Sequence, residues 1–489
     1  MSLKPQSIEP IPDETCRIAQ AAFPKGNPYM TMRDELGVFF DDAQFAALFS
    51  PRGQSALSPW RLGLITVMQY AENLTDRQAA DAVRSRLDWK YALGLALTDP
   101  GFDFSVLSEF RTRLIVGSAE HILLETMLTC FQERALLKAG GKQRTDATHV
   151  LAAIRTLTRL ELIAETMTHT LNILATVSPD WLQGWVPAVW HERYDKRIDE
   201  YRLPQAEKKR LALAQQIGLD GHQVLTAIAR PDAPDCLRLL PAIETMRRIW
   251  LQHFYIDAES RLTWRQSGNL PPPARMISSP HDPEARYATK RHTTRWVGYK
   301  VHLTETCDEE QPHLITSVQT TVATETDNRI VKSLYKELDR TQRLPREHLI
   351  DMGYASTDLL LHSRKEYGIE QVCPMRPDNT WQANTEGAFD ISAFTIDWGQ
   401  QVVTCPQGKQ SVYWKSSSRD NLPKFLVKFD SADCHVCPQK THCTRSRCKA
   451  LELLDTNLAV IQPLGRTGLG VFPDALAPGF YSGGVARST

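Results

Sequence analysis

The sequence has no net charge: 57 Lys and Arg residues stand against 57 Asp and Glu. Bulk composition therefore excludes a strongly basic nucleic-acid binder, and any phosphate-holding surface has to be local. No uninterrupted apolar run approaches the length that crosses a bilayer, so no membrane partner is expected. The opening MSLKPQSIEPIPDE is polar and lacks the apolar core of a signal peptide, which points to a cytoplasmic protein. In that compartment the ten cysteines do not read as a disulfide framework. No internal repeat is visible. What remains is ordinary globular composition, 42% hydrophobic and 23% charged, in a chain of 489 residues. That length suffices for about two to four domains with sizeable cores.

Residues 1–140 read as a helical domain. Ser58 is placed as an N-cap, with Pro59 at the first helical position. Thr75 and Gln78 have capping-box spacing, and Ala79, Ala82, Val83 and Leu87 form one apolar stripe. A helix over SVLSEFRTRLI carries Arg111 and Arg113, and the next ends in a glycine pair, 140 and 141, suited to a C-cap. Two readings stay open for this segment. It is a helix-turn-helix reader of DNA, or it is a plain bundle with solvated arginines, which the segment alone favours.

The pattern then changes. KQRTDATHV is strand-like and contains Asp146. A helical stretch follows over about 156–280, with Leu160, Ala164, Met167, Leu171 and Leu174 on one stripe, before a loop with three consecutive prolines. In RWVGYKVHL, residues Val297, Tyr299, Val301 and Leu303 alternate with Trp296, Gly298, Lys300 and His302, which predicts a strand. HLITSVQTT is a second strand, TDNRIVKSLYKELDRTQ a helix and HLID a third strand, followed by a helix from Ser356 and a strand IEQVCPM. Adjacent strands pair antiparallel, whereas strand-helix-strand units demand parallel crossovers. The order predicts a mixed α/β sheet flanked by helices.

In such a sheet Asp146 and Asp351 could stand on neighbouring strands. Two close carboxylates repel unless a cation lies between them. Oxygen ligands without histidine suit Mg²⁺ or Mn²⁺, and a pair of such ions serves phosphoryl transfer. The alternative is that each acid caps a turn at a strand end.

TDATHV, YATKRHTTRWVGYKVHLTET and LIDMGYAS, in this order, resemble DDE transposases of bacterial insertion sequences, in particular the group numbered eleven eighty-two. The resemblance covers roughly residues 25–445. It implies a ribonuclease-H-like mixed sheet over 141–378, the helical N-terminal domain, and metal-dependent cutting and joining of DNA at element ends. The first catalytic Asp falls on Asp146 and the second on Asp351, both as Mg²⁺ ligands. The implied partner is double-stranded DNA at terminal inverted repeats, engaged by a homodimer. Asp282 in SPHDPEAR fits a turn, and Asp327 and Asp358 fit helix starts.

Arg286, Lys290, Arg291, Arg295 and Lys300 form a basic run with Tyr287, His292, Trp296 and Tyr299 interleaved. Basic groups hold phosphates and rings stack on unpaired bases, so DNA contact is expected here, against a solvated strand edge with core aromatics. Residues 379–448 read as a cysteine-rich insert. Cys434 and Cys437 form a C-x-x-C, Cys443 follows and Cys405 lies upstream, a set that suits structural Zn²⁺. His435, His442 and Cys448 are possible substitutes, and a redox pair or free thiols are the rivals.

The chain departs from the family in its tail, 449–489. There the resemblance implies a long helix with a third catalytic Glu, yet the text is rich in Gly and Pro. Its one Glu, Glu452, follows Cys443 too closely to take that role. The expected function is DNA transposition, defective in this chain. The alternatives are an inactive remnant that only binds element ends, and an unrelated metal-dependent phosphohydrolase.

Overall fold

The computed structural model describes residues 2–5, 8–155, 157–195, 203–290, 293–374, 380–417 and 424–454. The chain divides into two compact units, the first Met1–Ile350 and the second beginning at Asp351. Mixed α/β structure is present, as expected.

The first unit opens with seven helices, α1 (Asp13–Ala22), α2 (Pro28–Leu36), α3 (Pro59–Ala71), α4 (Asp76–Ser85), α5 (Leu87–Leu93), α6 (Ser105–Val116) and α7 (His121–Glu133). They pack around Phe45, Trp60, Trp89 and Phe110. The Thr75–Gln78 capping box opens α4, which buries Ala79, Ala82 and Val83. Ser58 does occupy the N-cap of α3, but its side chain caps nothing. Its hydroxyl donates instead to Asp42 Oδ2 (2.7 Å), and Asp42 Oδ1 accepts the Trp60 N–H (3.1 Å). The cap is thus lent by another segment. The end of α7 also differs from the expectation. The helix stops at Glu133, Ala135 takes a positive φ of 56°, and the glycine pair leads into the first strand instead of capping a helix. Gly141 is needed there because a Cβ would come within 2.4 Å of Asp308 Oδ2.

Strand β1 (Lys142–Leu151) follows, then the helical insert: α8 (Arg159–Val177), α9 (Pro179–Gln183), α10 (Val189–Tyr194), α11 (Glu207–Ala229) and α12 (Pro241–His253). A hairpin of β2 (Phe254–Ile256) and β3 (Leu262–Trp264) closes it. The expected stripe on α8 is inward: Leu160, Ala164, Met167 and Leu174 are buried and Leu171 packs against the same core. No single helix among the described residues is long and apolar enough to cross a membrane.

The sheet is completed by β4 (Arg286–Lys290), β5 (Thr294–Thr306), β6 (Ile315–Val322) and, after α13 (Val331–Arg340), β7 (Glu347–Ile350). β5 runs antiparallel to β4, β6 and β1, while β1 and β7 are parallel. Across the sheet the order is β6-β5-β1-β7. The more buried face of β5 carries Trp296, Gly298, His302, Thr304 and Thr306, not the apolar Val297, Val301 and Leu303. Polar residues face inward because partners meet them there.

The second unit contains α14 (Thr357–Tyr367), β8 (Glu370–Val372), a hairpin of β9 (Thr395–Asp397) and β10 (Val402–Thr404), and an antiparallel sheet of β11 (Tyr413–Ser417), β12 (Lys424–Lys428) and β13 (Ala450–Leu454). Two short helices, α15 (Ser431–His435) and α16 (Lys440–Cys443), lie between β12 and β13. Phe394, Val403, Val427, Phe429 and Leu451 form its core.

Gly298 is where β5 meets the end of β1. Its φ is +153°, and a Cβ would stand 2.1 Å from Val150 O and 2.7 Å from Ala152 N, both backbone atoms that cannot swing away. Gly298→Ala is expected to lower unfolding stability by about 1–3 kcal/mol. A urea midpoint equal to that of the unaltered protein would contradict this pairing.

Candidate functional site

Asp146 lies in mid-β1, opposite Leu303 of β5, and is exposed. Side chains alternate along a strand, so it points away from the face that buries Gln143 and Thr145. Its Oδ1 accepts the Ala147 N–H (2.7 Å). In the parallel pair, Thr145 of β1 is the register partner of Ile350, the last residue of β7. Each candidate aspartate is therefore the next residue along its chain from a partner in that pair. Asp351 is exposed, and its Oδ1 accepts the N–H groups of Gly353 (2.7 Å) and Tyr354 (3.3 Å). That turn explains the DMGY text. Among the described residues no cationic side chain pairs with either carboxylate, and Oδ2 of each has no hydrogen-bond partner.

Behind β1 and β7, on the face covered by α13, runs a buried polar chain. Thr145 Oγ1 shares hydrogen bonds with Thr304 Oγ1 (2.7 Å) and with His348 Nε2 (2.7 Å). His348 Nδ1 shares one with the Tyr335 hydroxyl (2.7 Å). Beside it Thr316 Oγ1 donates to Gln143 Oε1 (3.0 Å), and Gln143 Nε2 donates to Arg343 O (2.8 Å). Thr145, Gln143, Thr304, Thr316, Tyr335 and His348 are all buried. Sequence reasoning missed these groups. The signal was polar residues at alternate positions, His302, Thr304 and Thr306 on β5 and Gln143 and Thr145 on β1.

The basic run separates into two kinds of residue. Arg286 is half-buried, and its Nη1 donates to the carbonyls of Pro283 (2.6 Å) and Ala285 (3.0 Å). Burial lowers its pKa. Lys300 Nζ donates to Asp327 Oδ1 (2.8 Å) and Glu325 O (2.8 Å). Lys290 and Arg295, next to the connection between β4 and β5, are exposed. Arg291 and His292 lie outside the described residues. Trp296 is buried, and its Nε1 donates to Tyr299 O (3.2 Å). Tyr299 donates its hydroxyl to Asp282 Oδ1 (2.5 Å), and Asp282 also accepts the Ala285 N–H, which fits the turn role. In the N-terminal helices Arg111 pairs with Asp76 (2.7 Å), and Arg113 donates to Leu48 O (3.5 Å) beside the Phe49 ring.

In the second unit Cys405, Cys434, Cys437 and Cys443 line one cavity of ≈ 240 Å³. Burial pushes the Cys443 thiol up. The described cysteines are all free. Among the described residues no three His, Cys, Asp or Glu side chains are already gathered into a metal-holding group. Glu452 lies on β13 opposite Leu426, exposed and on a strand, and residues 455–489 are outside the described set.

Residues 17–113, which run from within α1 into α6, match the family model described as Transposase domain (DUF772). This match supports a transposase family. It falls on the N-terminal helices, ahead of both candidate aspartates. No curated protein and no solved structure matches the chain.

Burial lowers the pKa of His348 from 6.5 to about 3. Unfolded, the ring takes a proton as pH falls below 6.5; folded, it does so only near 3. The stability it confers is therefore fully present above that upper value and is lost as pH falls through the window. The loss amounts to about 1.4 kcal/mol per pH unit from this ring. Urea unfolding between pH 6.5 and 5 should show His348→Gln with a shallower slope than the parent, by close to one proton. Equal slopes would mean the ring is not buried neutral.

Proposed function

We propose that the chain is a DDE-type transposase of the insertion-sequence group numbered eleven eighty-two, impaired in strand cleavage. It acts on double-stranded DNA at terminal inverted repeats, as a homodimer when two ends are joined. The observation that carries this reading is the match of the N-terminal helices to a transposase domain. The sheet order β6-β5-β1-β7, with only β1 and β7 parallel, supports a ribonuclease-H-like core. The transposase match does not favour an unrelated phosphohydrolase.

Asp146 and Asp351 are the ligand pair in this reading. Each keeps one carboxylate oxygen without a partner among the described residues. Such hard donors suit Mg²⁺, which retains waters and takes one or two protein carboxylates together with substrate phosphates. A bound ion supplies activation of an attacking oxygen and neutralisation of the charge on phosphorus. The protein's part is to hold the carboxylates on a stiff strand and a tight turn. Lys290 and Arg295, exposed at the hairpin, hold DNA phosphates, with Arg291, Arg286 and Lys300 flanking them in sequence. Because Arg286 and Lys300 already bond within the protein, their part is the shape of the hairpin.

The binding-only reading has an observation of its own: Glu452 stands on a strand, and no helix among the described residues after Cys443 offers a third acid. Two aspartates leave a second ion under-ligated, so cleavage suffers far more than DNA binding. The test uses a labelled duplex carrying the terminal inverted repeat next to the gene, with Mg²⁺ or Mn²⁺, and reads binding and cleavage on one preparation. Binding with little or no cleavage is expected, with Lys290→Ala and Arg295→Ala each weakening binding. Strong cleavage abolished by Asp351→Ala and kept by Glu452→Ala would overturn the impaired reading, and its loss in Glu452→Ala would make that residue a ligand.

Cys405, Cys434, Cys437 and Cys443 are proposed to hold one structural Zn²⁺. Four thiols on one small cavity are the donor chemistry that tetrahedral zinc takes. Closing their sulfurs around an ion would staple a unit with a small core. Elemental analysis of protein purified without chelator should find one zinc per chain, and Cys437→Ser should lose it along with thermal stability. Zinc-free protein with an unchanged melting temperature after chelation would contradict the assignment.

A further inference from the structure

His348 makes two hydrogen bonds and no contact with solvent, being 0% exposed. Tyr335 on α13 meets one ring nitrogen and Thr145 on β1 meets the other. Thr145 passes the chain on to Thr304 on β5. One imidazole thus ties the helix to β7 and β1, and through a hydroxyl to β5. A neutral ring has one donor and one acceptor nitrogen, and hydroxyls serve as either, so every member of the chain is satisfied. A buried polar network whose members are all paired rigidifies the core around it in a way an apolar side chain does not.

The network therefore gives orientation. Backbone pairing sets which residues of β1 and β7 face each other, but over so short a pair it leaves their twist soft. The Thr145 side chain is gripped on the inner face, and the next residue, Asp146, points to the other face. A rotation of β1 about its axis that released Thr145 would swing Asp146 by the same angle. On β7 the grip is at His348, and the chain reaches Asp351 only three residues later.

We propose that His348, with Tyr335 and Thr145, is a positioning residue that fixes how the two aspartates present their carboxylates to a divalent cation. The inference rests on the ligand pair named under Proposed function. Groups that hydrogen-bond metal ligands directly, when removed, weaken metal affinity by about 10–100-fold; Thr145 and His348 act one step further back, through the strand backbone, so the lower end of that range is expected. Simple loss of core packing does not have this effect on molecules that stay folded.

The experiment is a Mn²⁺ titration of the full chain, read by electron paramagnetic resonance, alongside a urea unfolding curve for every variant. Tyr335→Phe removes one oxygen and keeps the ring. Thr145→Val keeps the shape of its side chain. Leu338→Ala, a buried apolar change on the same helix, is the control for packing. Asp146→Asn tests the ligand pair itself. The expected result is an affinity for Mn²⁺ at least about tenfold weaker in Tyr335→Phe and Thr145→Val. Leu338→Ala, though destabilised in urea, should bind as the parent does. If Thr145→Val fails to fold, Tyr335→Phe carries the test alone. Parent-like affinity in both hydroxyl variants, with loss in Asp146→Asn, overturns the positioning role and leaves the ligand pair standing. An equal loss in Leu338→Ala also overturns it, since packing alone then accounts for the effect. Parent-like affinity in Asp146→Asn removes the ligand pair, and this inference falls with it.

Discussion

A parallel strand pair cannot be closed by a tight turn, and the first unit is organised around one such pair, β1 with β7. Between Leu151 and Glu347 the chain completes the whole helical insert, the β4–β5–β6 antiparallel strands and α13 before it returns. The pair itself is short, only Lys142 to Thr145 against Glu347 to Ile350. Its backbone bonds are few, so the side chains behind it matter more than usual. Tyr335, His348, Thr145 and Thr304 hold it from the inner face, and α13 supplies Tyr335 to that chain. The outer face is less covered: Val318, opposite Leu303 on the Asp146 side, is 47% exposed.

Much of this framework was legible in the sequence. Strict alternation gave β5, and the strand-like KQRTDATHV gave β1 around Asp146. The Thr75 to Gln78 spacing marked a helix start because both halves of a capping box lie within one turn. The stripe from Leu160 to Leu174 marked α8 because a 3.6-residue period is a local property. What failed was whatever depends on distant partners. Alternation alone does not say which face is inward, and apolarity misleads when His302 and Thr304 find hydrogen bonds across the sheet. The cap of α3 comes from Asp42, sixteen residues before Ser58. Gly141 answers to Asp308 and Gly140 to a φ of +64° at the entry to β1, constraints no helix rule contains.

The basic residues teach the same lesson about function. A run of like charges in sequence suggests one surface, but strand geometry and neighbours divide it. Lys300 is drawn to Asp327 and Arg286 to two carbonyls, which leaves Lys290 and Arg295 exposed. The arginines of the N-terminal helices are engaged as well, Arg111 with Asp76 and Arg113 with Leu48. Charge became informative only after its internal partners were subtracted. The cysteines show the opposite case, since Cys405 is distant in sequence from the C-x-x-C yet lines the same cavity.

The central proposal is that Asp146 on β1 and Asp351, next after β7, ligate one divalent cation. Anomalous diffraction from crystals of the full chain soaked in Mn²⁺ tests it most directly. The account predicts a manganese peak ligated by a carboxylate oxygen of each aspartate. A peak held by only one of them, or manganese bound elsewhere with both carboxylates free, would contradict it.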